Sequence, residues 1–270
     1  MFNVDINRAS RIGKAAVLNS ISPQASIFNN QRDPDKTTFK YVELDDLVVV
    51  EALNELGWKI VKYNEVKPHN KDRQGLQTYC ATYENTNYDL TTTQGRARLL
   101  QIGSHDGRSK LRLEGGFFTF ACANGLIIGN SVCEPVAIKH FGEQALQVDK
   151  AVSHFLDRMP VLFDKIGHMV YTNLSESQKH DFALDSIRLR FEDTSRIRYH
   201  EVLVPRYKEQ SSNSVWDVFN TIQTNLIENP NIKALTPTKD KFRKLRKVTN
   251  IEANVNLNRD LWNLAESFIH

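Results

Sequence analysis

Residues 104–129, SHDGRSKLRLEGGFFTFACANGLIIG, carry three turn dipeptides, Asp106-Gly107, Gly115-Gly116 and Asn124-Gly125, nine residues apart, with alternating or solidly apolar runs between them. Such dipeptides supply the positive φ of a two-residue hairpin loop, so the spacing predicts consecutive antiparallel strands. In that register Asp106-Gly107 opposes Ile102 to Leu111 and Leu100 to Leu113, with Gln101 facing Arg112. Gly115-Gly116 opposes Leu113 to Phe118 and Leu111 to Phe120, and Asn124-Gly125 sets Cys122 against Ile127. One face is then apolar: Leu100, Ile102, Leu111, Leu113, Phe118, Phe120, Cys122 and Ile127. The reverse face carries Gln101, Lys110, Arg112, Glu114, Phe117 and Thr119, and grades into Leu126 and Ile128. The expectation is an α+β fold built on an antiparallel β-meander over about 96–129.

The flanks supply helices to cover it. Upstream, FKYVELDDLVVVEALNELGWKIV reads as a short strand, a helix beginning near Asp45 or Asp46, a stop at Gly57 and a strand from Trp58 to Val61. QTYCATYE and YDLTT add strand candidates, separated from Val61 by a polar loop. Downstream, Ala145, Val148, Val152, Phe155, Met159, Leu162, Ile166 and Met169 recur at helical spacing, predicting one long amphipathic helix over 143–172 or two joined at Pro160. Helices follow at about 176–191, around Trp216 to Leu226, and at LNRDLWNLAESFI with Asn256 or Asn258 as its cap. Both tryptophans of those last two helices fall on apolar faces and are read as core. The expected division is an α+β core domain over 1–172 and a mainly helical region over 173–270.

Within the second region TPTKDKFRKLRKVTN places Lys239, Lys241, Arg243, Lys244, Arg246 and Lys247 against a single Asp. A run this dense is a solvated loop, and its charges suit phosphates. The net charge of the whole chain is only +3, so nucleic-acid binding has to rest on such local clusters. Arg96, Arg98, Arg108, Lys110 and Arg112 form a second cluster on the meander, where Phe117 offers a base a stacking surface. Three cysteines, Cys80, Cys122 and Cys133, have neither disulfide-framework nor metal-knuckle spacing and read as buried thiols. No signal peptide, membrane span or phosphate-binding glycine loop is evident, so a cytoplasmic protein without membrane contact, cofactor or metal is expected.

SHDGRSKLRLEGGFFTFACANGL resembles the phage/plasmid-like family called domain of unknown function 932. Its hallmark Ser-His-Asp-Gly turn is Ser104, His105, Asp106 and Gly107 here, and its Cys-x-Asn-Gly-Leu turn is Cys122, Asn124, Gly125 and Leu126. SPQASIF at 22–28, VWDVFNTIQTNLI and VNLNRDLWNLAE are similar to further segments of the family. This chain has Gly103 before the first motif and Pro205-Arg206-Tyr207 where the family reads Pro-Arg-Arg. The resemblance implies a protein of mobile DNA, while its activity is unassigned. A meander followed by a long helix is also similar to the core of Red-beta and RecT type annealing proteins, an analogy of fold alone.

His105 beside Asp106 suggests a general base with its orienting carboxylate, the basis of a nuclease reading. Adjacent strand residues point to opposite faces, however, and Asp-Gly is already accounted for by turn chemistry, so no catalytic residue is assigned. The leading expectation is a non-enzymatic protein that binds or anneals single-stranded DNA in recombination, working as a homo-oligomer. The alternative is an interaction module that inhibits a host defence or restriction system through the apolar edge at Leu126 and Ile128.

Overall fold

A computed structural model of the chain describes residues 20–29, 46–68, 70, 73–119, 125–130, 132–139, 143–228, 232–235 and 241–269. Two compact units interleave along the sequence: Met1–Phe117 with Cys133–Arg158, and Phe118–Val132 with Met159–His270. The boundaries differ from the contiguous 1–172 and 173–270 expected from the sequence, because the helical run after Pro160 belongs with the later helices.

The first unit opens with a 3-10 turn at Ser26–Phe28 and a helix α1, Asp46–Glu55. Gly57 ends that helix at φ +83°, a left-handed backbone that favours glycine, and a Cβ there, 2.4 Å from Asn87 Nδ2, would also push the exposed Asn87 side chain aside. Strands β1 (Trp58–Glu65), β2 (Tyr79–Asn85), β3 (Gly95–Gly103), β4 (Arg112–Thr119) and β5 (Gly125–Ile127) follow in spatial as well as sequence order, with β6 (Val136–Ala137) on β4. This is an α+β fold with an antiparallel sheet. β2 pairs β3 with Tyr79 opposite Gly103, Ala81 opposite Gln101 and Tyr83 opposite Leu99. Tyr79, Ala81, Tyr83, Leu99 and Gln101 therefore share one face. Helix α2, Gln144–Asp157, packs on α1, and its Phe155 meets Trp58 edge-on with ring centroids 5.7 Å apart.

The sheet corrects the expected punctuation. Gly115-Gly116 makes no turn: β4 runs straight through it, both glycines are buried, and neither has positive φ. Turn propensity loses here to ladder pairing in a buried strand, where a residue without a side chain leaves room for its neighbours. Leu113 and Phe117 consequently share one face and Arg112, Glu114 and Phe118 the other. Asp106-Gly107 does turn, with Gly107 at φ +74°, but within an eight-residue loop, 104–111, in place of a two-residue hairpin. The meander exists, begins at Trp58, and uses 96–119 as two strands. YDLTT supplies only an isolated bridge, Thr91 to Arg96. Phe120, Cys122 and Asn124 lie outside the described residues.

In the second unit the amphipathic run becomes helix α3, Met159–Tyr171, begun near Pro160, whose missing N–H is harmless in a first turn. Helix α4, Glu176–Arg190, starts with a full capping box between Ser175 and Gln178. A short α5, Tyr199–Val202, leads to α6, Val215–Ile227, capped by Ser214 and buried on every side. Its polar residues are consequently bonded inward: Gln223 Nε2 donates to Asn258 Oδ1 at 3.0 Å and Asn220 Nδ2 to the Trp216 carbonyl at 2.7 Å. Helix α7, Ile251–Glu266, packs on α4 and α6. Its cap is Asn250, which accepts from the Ala253 N–H at 2.9 Å, so the helix begins earlier than the expected Asn256 or Asn258. Trp216 and Trp262 are core, as expected. Between α6 and α7 two short strands, β7 (Lys233–Leu235) and β8 (Phe242–Lys244), pair antiparallel.

Candidate nucleic-acid interface and a buried motif network

Each residue of the Ser-His-Asp-Gly stretch has a separate task in the first unit. Ser104 Oγ accepts the Ser109 N–H at 2.9 Å and closes the loop, while Asp106 Oδ1 accepts the Arg108 N–H at 3.1 Å in an Asx turn. The other oxygen of Asp106 lies 3.3 Å from Arg108 Nε and 3.6 Å from Arg73 Nη2. His105 turns inward and is 2% exposed. Its Nε2 sits 3.3 Å from Asp46 Oδ2 on α1 and 3.0 Å from the carbonyl of Ser26. His105 and Asp106 therefore form no dyad, and the nuclease reading loses its geometry.

Asp46 extends this contact into a buried network. Its Oδ2 accepts the Tyr79 hydroxyl at 2.6 Å; the Tyr79 oxygen accepts from Gln101 Nε2 at 2.9 Å; Gln101 Oε1 accepts the Tyr83 hydroxyl at 2.6 Å. Burial, with Asp46 adding to it, pushes the Tyr79 phenol well above its ordinary range. Beside it Glu65 Oε2 accepts both the Tyr63 hydroxyl, at 2.8 Å, and the Ser26 N–H, at 2.9 Å. The network ties the SPQASIF segment, α1 and the sheet together. Sequence reasoning missed Asp46, Tyr79, Gln101 and Glu65, since isolated polar residues within apolar runs carry no spacing signal. Their one trace was the resemblance, which singled out the SPQASIF and Ser-His-Asp-Gly segments that meet here.

The expected binding face on the meander is not assembled. Arg96 and Arg98 share the face of Leu100, opposite to Gln101, and both pair with Glu84, Arg96 Nη1 at 2.9 Å and Arg98 Nε at 2.9 Å. Glu84 is buried, which raises its pKa, yet the two guanidinium groups outweigh burial and hold it below the usual carboxylate range. Arg112 pairs with buried Glu114 two residues along β4. Phe117 is 0% exposed, so it packs the core and offers no surface for a base. Ile128, expected on an apolar edge, is buried as well, and Leu126 lies outside the described side chains. Lys110 and Arg108 are exposed, Arg108 beside Asp106. Cys80 and Cys133 are buried thiols, and burial pushes Cys80 up to about 12. Cys122 and Lys239 lie outside the described residues.

The second cluster is assembled, and more regularly than a loop. Phe242, Arg243 and Lys244 are all exposed along β8, with exposed Lys241 just before it and Arg246 and Lys247 following. Alternation puts Phe242 and Lys244 on one face, where their partners on β7 are Leu235 and Lys233. Lys233 and Lys244 thus stand directly opposite each other, a like-charge pair that destabilises a bare ribbon. Phe242 keeps 47% of its surface exposed, and the Arg198 guanidinium lies over its ring at 5.2 Å. The hairpin is moored from α4: Arg190 donates to the carbonyls of Leu226 and Arg246, and burial lowers its pKa to about 10.

Beside β7 lies a groove of about 520 Å³ lined by Glu201, Val204, Pro205, Arg206, Tyr207, Asn225 and Ile232. Asn225, on α6, donates to the carbonyls of Val202 and Val204 at 2.9 Å each and accepts from Arg206 Nε at 2.7 Å. Glu201 Oε2 accepts the Lys233 N–H at 3.1 Å, joining groove and hairpin.

Among the described residues no cluster of His, Cys, Asp and Glu could hold a metal ion, and no helix is long and apolar enough to cross a membrane. Two proteins of Escherichia coli (strain K12), UPF0380 protein YafZ and UPF0380 protein YfjQ, are each 30% identical to this chain over 174 residues. The match covers 63% of the chain and 62% of each relative, so the chain spans less than two thirds of their length. No solved structure matches significantly. The family described as "Domain of unknown function (DUF932)" matches residues 40–262. That span includes α1, the whole sheet, both motif-bearing segments from Ser104 onward and all but the end of α7, and the chain belongs to the DUF932 family.

Proposed function

We propose that the chain binds single-stranded DNA through the β7–β8 hairpin of its second unit, in the recombination of mobile DNA that its resemblance to phage and plasmid proteins implies. One observation carries this reading: an exposed aromatic, Phe242, shares its face with the opposed pair Lys233 and Lys244, while Arg243 adds charge on the reverse face and Lys241 just before the strand. Two lysines held across a ladder are relieved when a phosphate sits between them. The ring two positions away, about 6.6 Å along the strand, is then placed to stack a base. Single strands are favoured over duplex because a stacking ring needs an unpaired base.

The test is binding of fluorescent single- and double-stranded oligonucleotides across a salt series. Replacing Arg243 and Lys244 by Ala weakens single-strand affinity alike for all sequences and reduces the salt slope by about 0.7 per lost contact. Phe242→Ala weakens binding without changing that slope. Folded wild-type protein with no salt-sensitive binding to single strands refutes the proposal.

A further inference from the structure

The groove beside the hairpin is lined by both polar and apolar residues, and the single-strand reading leaves it unused. We infer that it is a base-recognition subsite that accepts a guanine base from the strand held on β7–β8; the inference rests on that reading of the hairpin.

The volume of about 520 Å³ falls within the range of small-molecule sites, roughly 300–1,000 Å³. Its position fixes which part of a nucleotide enters. Ile232 lines the groove and Lys233, the next residue, begins β7, so a backbone lying on the hairpin lysines passes the mouth of the groove. Glu201 inside it repels a phosphate, which leaves the base as the occupant. Tyr207, 39% exposed, and Pro205 provide a wall for its face.

The polar groups choose among the bases. A carboxylate accepts best from two adjacent N–H donors, and only guanine presents such a pair on its pairing edge. Thymine has one donor flanked by two carbonyls, which a carboxylate repels. Arg206 is complementary to the remaining edge, since a guanidinium donates to the O6 and N7 acceptors of guanine. Asn225 is a positioning residue: its oxygen is engaged by Arg206 Nε at 2.7 Å, and its two donations hold the turn that precedes Pro205. The α6 segment, singled out in the sequence for its likeness to the family, and Pro205-Arg206-Tyr207, which departs from the family's Pro-Arg-Arg at its third residue, meet at this one groove.

The experiment uses the full chain and 20-nucleotide oligothymidylates, either unsubstituted or carrying one central dG, dA or dC, read by fluorescence anisotropy. Wild-type protein binds the dG strand about five-fold or more tighter than the unsubstituted strand. Glu201→Gln keeps a carbonyl oxygen for the Lys233 N–H, replaces the second acceptor by a donor, and abolishes the dG preference while retaining affinity for the unsubstituted strand. Tyr207→Ala weakens the dG strand by roughly 5-fold or more at unchanged salt slope and leaves the unsubstituted strand unaffected, and Tyr207→Phe restores the dG preference. Equal wild-type affinity for all four strands, or either variant matching the wild type in affinity and preference, overturns the subsite. If the Arg243 and Lys244 replacements still lose affinity and slope in that case, the hairpin reading stands alone. Absence of salt-sensitive binding by the wild type removes both.

Discussion

Asp46→Ala measures how much of the first unit's stability depends on the buried network. Asp46 is 3% exposed, and its Oδ2 is the acceptor of the Tyr79 hydroxyl at 2.6 Å. Alanine leaves that hydroxyl without an acceptor, because the other contact of the Tyr79 oxygen is a donation from Gln101. An unsatisfied buried donor costs about 1–3 kcal/mol. His105 Nε2 keeps the Ser26 carbonyl, so it adds little. Loss of an acidic group from the first turn of α1 adds about 0.3–1 kcal/mol. The total expected is about 1.3–4 kcal/mol. Asp46→Asn, which keeps an acceptor oxygen, recovers part of it. The assay is equilibrium urea unfolding followed by hydrogen exchange of the 79–85 segment, which reads the first unit apart from the second. A double-mutant cycle with Tyr79→Phe isolates the pair, and hydrogen bonds to a charged group lead us to expect a coupling of about 1.5–3 kcal/mol. A coupling below about 0.5 kcal/mol, within the scatter of independent sites, refutes the network as a stabilising unit.

Glu84→Gln should destabilise the protein at neutral pH by disengaging Arg96 and Arg98. Because Glu84 is held below its unfolded value of about 4.3, its contribution is complete above that value. The difference between wild type and variant therefore narrows as pH falls through the folded value; a difference independent of pH from 7 to 3 in urea titrations contradicts this. Phe117→Ala should lower stability by about 3–5 kcal/mol, as expected of a fully buried ring, and leave single-strand affinity of the folded fraction unchanged. Loss of affinity without loss of stability would place that ring on a binding surface after all. Gly129→Ala should destabilise the second unit by about 1–3 kcal/mol or more, because a Cβ there lies 2.2 Å from Trp262 Cδ1 and 2.6 Å from Asn263 Oδ1. A thermal midpoint equal to wild type would show that α7 yields.

Local chemistry made much of the secondary structure legible in the sequence. Helical periodicity located α2, α3 and α6, with Pro160 marking a break, because spacing of apolar residues reports which face a helix buries. Gly57 and Gly107 were readable for the same reason: left-handed backbone is a property of one residue and its Cβ. Gly115-Gly116 was misread because extended backbone is equally open to glycine, and only the neighbouring strands decide between a turn and a ladder. Phe117 was placed on the wrong side by that same error, and its burial follows from β4 running through. The basic run was legible as charge, but its pairing with Lys233 across a ribbon, the exposure of Phe242 and the groove beside them depend on contacts between α5, α6 and β7. The Asp46–His105–Tyr79 network unites residues from α1, the 104–111 loop and β2, separated by up to 59 positions. A buried hydrogen bond is a relation between atoms brought together by packing, and no one-dimensional pattern encodes it.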